Sequence, residues 1–192
     1  MSQYKVFEQG WKGEDTVCGW GSQIEHTKNI RFMLPEIIEK LDVKTINDAG
    51  CGDFWWIKEV SFEEDINYMG YDIYDRRRGQ GFPFTALDIV NEDMRPCDLI
   101  LCRDVFIHLP NDMILSTLKR FKRSGNFLFT TTFNSKHIEV NNFDRMSKPQ
   151  LKHCKLDLSL APFKLGPGCE LVKENSPGKY LGLWDLQKME IE

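Results

Sequence analysis

The sequence predicts an α/β fold: a mostly parallel sheet of seven strands, with helices on both faces and an antiparallel hairpin near its C-terminal end. Segments of strand-like composition alternate with segments of helical periodicity, and this alternation is typical of parallel sheets covered by helices. Several strand-like segments end in glycine or an acidic residue. The last two are joined by a short turn that contains Pro177 and Gly178, and short turns join antiparallel strands.

The elements are expected in the following order. Apolar residues recur at helical spacing between residues 25 and 41, although Pro35 predicts a kink or a boundary there. A second helix is expected at 54–62, directly after a glycine turn, and an amphipathic helix at 111–122. Strands are expected at 44–49, 67–72, 84–88, 97–102, 126–133, 170–173 and 180–186.

The 192 residues are expected to form a single domain, because this length lies in the usual range for one. We divide residues 1–192 into an N-terminal lid and helix region (1–41), a core (42–133), and a loop with a C-terminal hairpin (134–192). Residues 134–168 are irregular and polar. Loops of more than about 12–15 residues are usually functional or disordered.

Composition and charge argue against several classes of protein. The net charge of −4 disfavours a general nucleic-acid-binding protein, because such proteins carry basic surfaces. The basic runs at 76–78 and 119–123 are interpreted as solvated faces. No apolar run reaches the roughly 18 residues of a membrane span, and residues 1–12 lack a signal-peptide core.

The six cysteines include no Cys-x-x-Cys pair, which argues against a zinc knuckle. Cys51 and Cys102 stand near strand ends, where packing is a better explanation than a disulfide. We therefore expect a reducing, cytoplasmic environment. The even number of cysteines leaves disulfides open as the alternative.

Residues 48–53 (Asp-Ala-Gly-Cys-Gly-Asp) follow the first strand and contain two glycines. Glycine permits a tight turn and close approach of a ligand, and a helix N-terminus behind the turn would offer free N–H groups. Trp55 replaces the third glycine of the dinucleotide-binding fingerprint. The glycine pair alone fits a ligand-binding loop and a plain strand-to-helix turn equally well.

Acidic residues end the next two strands. Asp72 follows the glycine turn by roughly 20 residues, where nucleoside-binding sheets hold a ribose diol, and its carboxylate can accept hydrogen bonds from both hydroxyls. Asp88 ends the third strand, where it could accept the adenine amine while Ile89 covers the ring. The alternative for Asp72 is a turn residue at a strand end, and Asp88 alone is weak evidence.

Three polar residues follow the fourth strand, within the sequence Cys102-Arg103-Asp104-Val-Phe-Ile-His108. They are expected at the carboxyl edge of the sheet, where open α/β sheets bind ligands. The alternative is an Arg–Asp pair that caps the sheet, with His108 packed against it.

In this order, the motifs resemble those of class I S-adenosylmethionine-dependent methyltransferases, which have a Rossmann-like fold. More narrowly, the chain resembles a family of short bacterial and phage-type methyltransferases. That resemblance covers nearly the whole chain and rests on residues 19–22 (GWGS), 48–55 (DAGCGDFW), 102–109 (CRDVFIHL), 156–165 (LDLSLAPFKL) and 181–184 (LGLW). The first of these segments departs from a more glycine-rich version in the family.

The resemblance implies S-adenosylmethionine as the cofactor and S-adenosylhomocysteine as the product. It places Gly50 and Gly52 under the methionine part, Asp72 on the ribose, and Cys102 and Arg103 near the sulfonium. The full set of expected cofactor-binding residues is Gly21, Ser22, Thr27, Arg31, Asp48, Gly50, Gly52, Asp53, Asp72, Ile73, Asp88, Ile89, Cys102 and Arg103.

Within that set, Gly21, Ser22, Thr27 and Arg31 are expected to close over the site. Arg31 is the expected partner of the cofactor carboxylate, because guanidinium binds carboxylate bidentately. The alternative for Arg31 is a surface position on a helix.

Methyl transfer from a sulfonium mainly requires that the protein position the acceptor. His108 is the expected general base. If 104–109 is a helical turn, Asp104 lies on the same face and raises the pKa of His108. The alternatives are that Asp104 itself is the base, or that no base is needed. No metal is expected, because no cluster has metal-ligand spacing.

The expected acceptor is a small molecule or saccharide, methylated on oxygen or nitrogen, and no membrane partner is expected. Neither Asn-Pro-Pro-Tyr nor Asp-Pro-Pro-Tyr occurs, which argues against DNA amino-methyltransferases. We expect Asn134, His137, Asn142 and Arg145 to shape the acceptor pocket. The alternatives are an RNA methyltransferase, a non-catalytic S-adenosylmethionine-binding module and a nicotinamide-dependent oxidoreductase.

Overall fold

The computed structural model describes residues 2–11, 15–77, 81–143 and 147–190. It contains a seven-stranded sheet in the order β3-β2-β1-β4-β5-β7-β6. The strands are β1 (Thr45–Ala49), β2 (Asn67–Asp72), β3 (Phe84–Ala86), β4 (Cys97–Cys102), β5 (Gly125–Phe133), β6 (Glu170–Lys173) and β7 (Lys179–Asp185). The α-helices are α1 (Lys28–Lys40) and α2 (Asn111–Ser124), and 3-10 helices span Ser2–Phe7, Trp20–Ser22, Ile57–Glu59, Phe106–His108 and Leu186–Lys188.

The first five strands pair in parallel, and β7 pairs antiparallel with both β5 and β6. The sheet is therefore mostly parallel with an antiparallel C-terminal hairpin, and this prediction is confirmed. Parallel pairing brings the carboxyl ends of the strands to one edge: Ala49 of β1 lies beside Tyr71 of β2, and Asp48 beside Leu101 of β4.

Each face of the sheet forms an apolar core that is covered by one α-helix. On β4, Leu99 and Leu101 belong to one core and Ile100 and Cys102 to the other, because successive strand side chains point to opposite faces. α1 contributes Ile30, Leu34 and Ile37 to the first core, and α2 contributes Ile114, Leu118 and Phe121 to the second. Pro35 lies inside α1 and does not end it.

Residues 54–62 do not form the predicted helix, and only the 3-10 turn Ile57–Glu59 stands there. Phe54 has a φ of 59°, which lies in the left-handed region, and a right-handed helix cannot continue through it. This conformation buries the Phe54 ring against Gly70. The glycine turn after β1 therefore leads into a loop and offers no helix N-terminus.

The described part of 134–168 contains no helix or strand, in agreement with the expected irregular segment. All six cysteines carry free thiols. Within the described ranges, no helix is both long and apolar enough to cross a membrane.

Candidate functional site

A cavity of about 580 Å³ opens at the carboxyl edge of the parallel strands. Its lining includes Gly50 after β1, Asp72 at the end of β2, Asp88 after β3 and Asp104 after β4. Residues from the N-terminal segment, from the segment 134–168 and from the turn between β6 and β7 form the other walls. Open α/β sheets bind their ligands at this edge.

The turn after β1 presents backbone to the cavity. Gly50 and Gly52 both line it and have φ values of +86° and +61°, a region that favours glycine. A Cβ on Gly50 would overlap Val105, and one on Gly52 would overlap Cys18. Glycine is therefore required at both positions by conformation and by the close packing of neighbouring loops.

Asp72 lines the cavity beside Ile73. One of its carboxylate oxygens accepts from the N–H of Gly52 at 3.1 Å, and the other accepts from the N–H of Tyr74 at 3.2 Å. Burial raises the pKa of Asp72, against the effect of these bonds and of the Arg76 charge 3.9 Å away. The carboxylate is therefore held in a fixed orientation by backbone N–H groups, and each oxygen of a carboxylate can accept more than one hydrogen bond.

Asp88 lines the cavity beside Ile89. Its Oδ1 accepts from the Tyr4 hydroxyl at 2.9 Å and from the N–H of Val90 at 3.0 Å. Its Oδ2 accepts from Nδ2 of Asn91 at 2.8 Å. Asp88 is thus oriented by its own loop and by the N-terminal segment, a contact that the sequence analysis did not identify.

Tyr4, Phe7 and Trp11 form an aromatic wall over the cavity. Phe7 and Trp11 stack with ring centroids 5.6 Å apart. The Tyr74 hydroxyl donates to the carbonyl of Tyr4 at 3.3 Å, and Arg76 donates to the carbonyl of Phe7. No role for these aromatics was predicted from the sequence, although their spacing of three and four residues is the signal of a shared helical face.

Four charged side chains form a buried network after β4. Lys179 Nζ lies 2.7 Å from Oδ2 of Asp104 and 2.8 Å from Oε2 of Glu174. Arg103 donates through Nε to Glu174 and through Nη2 to the carbonyl of Gly21, both at 2.8 Å. Arg103, Asp104 and Lys179 line the cavity, and the sequence analysis missed Glu174 and Lys179.

Asp104 has a φ of 57°, in a region where aspartate is more frequent than most residues. Its Oδ1 accepts from the Thr131 hydroxyl at 2.9 Å. Burial raises its pKa, but the charges of Arg103 and Lys179 outweigh burial and hold the pKa well below the usual range. Asp104 is therefore ionised at neutral pH and is a poor proton acceptor.

His108 and Asp104 do not share the predicted helical turn, because the left-handed backbone of Asp104 precedes the 3-10 helix Phe106–His108. Nδ1 of His108 lies 3.1 Å from the carbonyl oxygen of Gln150, so Nδ1 carries the proton and Nε2 keeps a lone pair. Burial lowers the pKa of His108 to about 4, although the Asp104 charge raises it. The expected increase in this pKa is therefore wrong.

No protein-family model and no curated protein sequence matches the chain, but several solved structures match its fold. The methyltransferase domain of bacterial CtHen1 matches 83% of this chain and 99% of its own, at 11% identity and a TM-score of 0.62. The fold is that of class I S-adenosylmethionine-dependent methyltransferases.

Two further structures with this methyltransferase fold match most of the chain. The N-terminal domain of EvdMO1 with S-adenosylhomocysteine bound has 10% identity and a TM-score of 0.60, covering 96% of this chain and 93% of its own. An S-adenosylmethionine-dependent methyltransferase from Clostridium acetobutylicum has 13% identity and a TM-score of 0.56, covering 82% and 91%. A fold alone does not determine function.

In this methyltransferase fold, most of the residues predicted for the site come together at one cavity. It is lined by Gly21, Ser22, Gly50, Gly52, Asp72, Ile73, Asp88, Ile89, Arg103, Asp104 and His108.

Asp48 and Asp53 are buried outside the lining. Asp48 accepts from the Tyr68 hydroxyl, and burial raises its pKa to about 7. Asp53 binds the Thr16 hydroxyl at 2.8 Å and the N–H of Val17 at 3.1 Å, which ties the N-terminal segment to the glycine turn.

Thr27, Arg31 and Cys102 also lie outside the cavity lining, contrary to expectation. The Thr27 hydroxyl and the Arg31 guanidinium both donate to the carbonyl of Ile24, at 3.1 and 3.0 Å, so both side chains hold the chain entering α1. Cys102 is fully buried in the sheet, because its side chain points into a core.

The segment 134–168 lines the cavity with Ile138, Leu151, His153 and Lys155, which are not the polar residues predicted there. Asn142 is buried and donates to the carbonyls of Asp157 and Ala161. Asn134 accepts from the N–H of Lys136 and His137 is exposed, and neither lines the cavity. Arg145 lies outside the described residues.

Proposed function

We propose that this chain is an S-adenosylmethionine-dependent methyltransferase that acts on oxygen or nitrogen of a small-molecule or saccharide acceptor. The observation that carries the proposal is the convergence of Gly50, Gly52, Asp72 and Asp88 on one cavity, at the carboxyl edge of a methyltransferase fold. The two glycines stand in the turn after β1, Asp72 ends β2 and Asp88 follows β3, so three neighbouring strands contribute. In an open α/β sheet this is the position of a nucleoside ligand.

The residues of the cavity fit the cofactor. Asp72 lines the cavity, and its carboxylate is the proposed acceptor for the ribose diol. Asp88 is the proposed acceptor for the adenine amine. The apolar side chains Ile73 and Ile89 flank these two acids. Arg31 is turned away, so we assign the cofactor carboxylate to Arg103 instead, because that guanidinium lines the cavity.

The cofactor supplies a methyl group that is already activated, so the main tasks of this chain are to position the acceptor and to exclude water. We assign proton acceptance to Nε2 of His108, since Nδ1 is bound to a backbone carbonyl and the ring is neutral at physiological pH. Asp104 is a weaker candidate for the base, because Arg103 and Lys179 stabilise its ionised form.

The site supports a small acceptor. A cavity of about 580 Å³ lies within the size range of small-molecule pockets, and the net charge of −4 does not favour a polynucleotide. A related structure of the EvdMO1 N-terminal domain was determined with S-adenosylhomocysteine and D-fucose, which makes saccharides a class to test first. The free thiols fit a reducing compartment, and we place the activity in the cytoplasm.

The proposal is tested by calorimetric titration of the protein with S-adenosylhomocysteine, with NAD as the matched control. We expect binding of S-adenosylhomocysteine and none of NAD. A labelled methyl-transfer assay against pooled saccharides, small metabolites and RNA then identifies the acceptor class. Absence of S-adenosylhomocysteine binding would refute the proposal. Transfer to RNA alone, with salt-sensitive RNA binding, would replace the small acceptor with a polynucleotide.

A further inference from the structure

We propose that Asp104 and Lys179 bind two neighbouring hydroxyl groups of the acceptor, so that the acceptor is polyhydroxylated, as sugars and cyclitols are. This inference rests on the proposed function and specifies its acceptor. The buried network after β4 leaves hydrogen-bonding positions of Asp104 and Lys179 without a protein partner, and these positions carry the inference.

Lys179 keeps at least one N–H for a ligand. Its ammonium group has three N–H donors, of which one is donated to Oδ2 of Asp104 at 2.7 Å. Oε2 of Glu174 lies 2.8 Å from Nζ as an ion-pair partner but accepts no hydrogen bond. Among the described residues, these are the side chains that the ammonium contacts. Lys179 lines the cavity, and only 10% of its side chain is exposed. The remaining donor is therefore held in a fixed position beside the cavity.

Asp104 has one acceptor position left. Its Oδ2 faces both Lys179 and Nη1 of Arg103, the latter at 3.3 Å. Its Oδ1 accepts from the Thr131 hydroxyl, and among the described residues Oδ1 has no other side-chain partner. A carboxylate oxygen has two lone pairs, so one on Oδ1 stays open. Because Asp104 is ionised, this position can only accept a hydrogen bond.

The network thus offers a donor on Nζ of Lys179 and an acceptor on Oδ1 of Asp104, and the two side chains are joined through Oδ2, which lies 2.7 Å from Nζ. The two open positions are therefore on adjacent groups, so one hydroxyl of a polyhydroxylated molecule can donate to Asp104 while the oxygen of the next accepts from Lys179. The oxygen bound to the ammonium is the poorer nucleophile, because one of its two lone pairs is engaged by a cation. The methylated group is then another oxygen of the same molecule.

Charge and shape favour a neutral acceptor at this position. The network contains two cations, Arg103 and Lys179, and two anions, Asp104 and Glu174, and it is neutral as a whole. The apolar ring of Phe133 lines the same cavity. The competing reading is an anionic acceptor held by Lys155, which also lines the cavity and is exposed.

The test is titration by saturation-transfer NMR of protein saturated with S-adenosylhomocysteine. The probes are D-fucose, cis-cyclohexane-1,2-diol, cyclohexanol and cyclohexanecarboxylate. We expect both diol-bearing probes to bind at least about fivefold more tightly than cyclohexanol. Lys179→Met should weaken the diols about tenfold or more. The matched control Lys136→Met, at an exposed lysine outside the cavity lining, should leave their binding unchanged.

Lys179→Met leaves two buried carboxylates without their shared cation, so the double variant Lys179→Met/Glu174→Gln is included to keep the network neutral. The affinity of each variant for S-adenosylhomocysteine is measured separately. If the wild-type protein does not bind S-adenosylhomocysteine, the proposed function fails. If it does, but binds cyclohexanol as tightly as the diol, or prefers the carboxylate through Lys155, then the inference is overturned and the proposed function stands.

Discussion

The two halves of the cavity are built in different ways. In the half assigned to the cofactor, Asp72 is held by backbone N–H groups of Gly52 and Tyr74, which stand on its own strand-end loop or the neighbouring one. In the half assigned to the acceptor, Asp104 is held by Lys179, which lies 75 positions away along the chain. Asp72 is thus positioned by backbone turns and Asp104 by a charged side chain from a distant part of the chain, although Asp88 in the first half also accepts from the distant Tyr4 hydroxyl.

This difference predicts which half of the cavity better tolerates single substitutions. Backbone contacts survive most changes of side chain, whereas each member of a buried ion network depends on its partners. Removal of one partner from a buried pair leaves an uncompensated charge and is strongly destabilising. The acceptor half should therefore be the more sensitive to single substitutions and the more specific in what it binds.

The largest expected effect is on catalysis, from His108→Ala. If Nε2 of His108 takes the acceptor proton, kcat should fall by about 10²–10⁴-fold, while S-adenosylhomocysteine affinity stays within a factor of about two, because the cofactor half is separate. Steady-state kinetics with the identified acceptor across pH provide the measurement. His137→Ala, an exposed histidine outside the cavity, is the control. A decrease of less than about fivefold with an unchanged pH profile would remove His108 as the base.

The same contrast explains what could be predicted from the sequence. The strands and the acids Asp72 and Asp88 were predictable, because strand composition and strand-end position are local properties. The helix at 54–62 was predicted wrongly, because burial of Phe54 overrode local propensity. The contacts of Tyr4 with Asp88 and of Lys179 with Asp104 join distant parts of the chain. No pattern in a single sequence pairs such residues.

The second expected effect is on the pH dependence of stability, which has opposite signs for one buried residue of each half. The pKa of His108 falls from its ordinary 6.5 to about 4, so its stabilising contribution is present above pH 6.5 and is lost as pH falls toward 4. The pKa of Asp48, which lies near the glycine turn, rises from 3.8 to about 7. Its contribution is therefore present below pH 3.8 and is lost as pH rises through 7. The two dependences oppose each other in the wild-type protein.

The substitution His108→Gln should therefore remove this loss of stability at acidic pH. As pH falls from 7 to 4, wild type should lose roughly 2–3 kcal/mol more of its free energy of unfolding than His108→Gln does. The substitution Asp48→Asn should change the pH dependence of the free energy of unfolding in the opposite direction. Urea unfolding at a series of pH values measures both. Parallel wild-type and His108→Gln curves would show that burial does not suppress protonation of His108.

The third expected effect is on cofactor affinity. Asp72→Ala removes the proposed ribose acceptors and should weaken S-adenosylhomocysteine binding by about 1–3 kcal/mol, with acceptor-half contacts unchanged. Calorimetric titration measures the loss. Asp75→Ala is the matched control, because the Asp75 carboxylate forms an exposed ion pair with Arg77. Equal affinities for wild type and Asp72→Ala would remove Asp72 from the cofactor site.

The smallest expected effect is that of metal removal, where we expect no change. Among the described residues, no group of three His, Cys, Asp or Glu side chains is placed to hold a metal ion. Asp104 faces the cations Arg103 and Lys179, which would repel a divalent ion, and Nδ1 of His108 is bound to a carbonyl. Methyl transfer is therefore expected to proceed equally with EDTA and with added magnesium. Activity that EDTA abolishes and magnesium restores would mean that the acceptor half is organised by a metal, and the proposed role of the Asp104–Lys179 pair would then have to be abandoned.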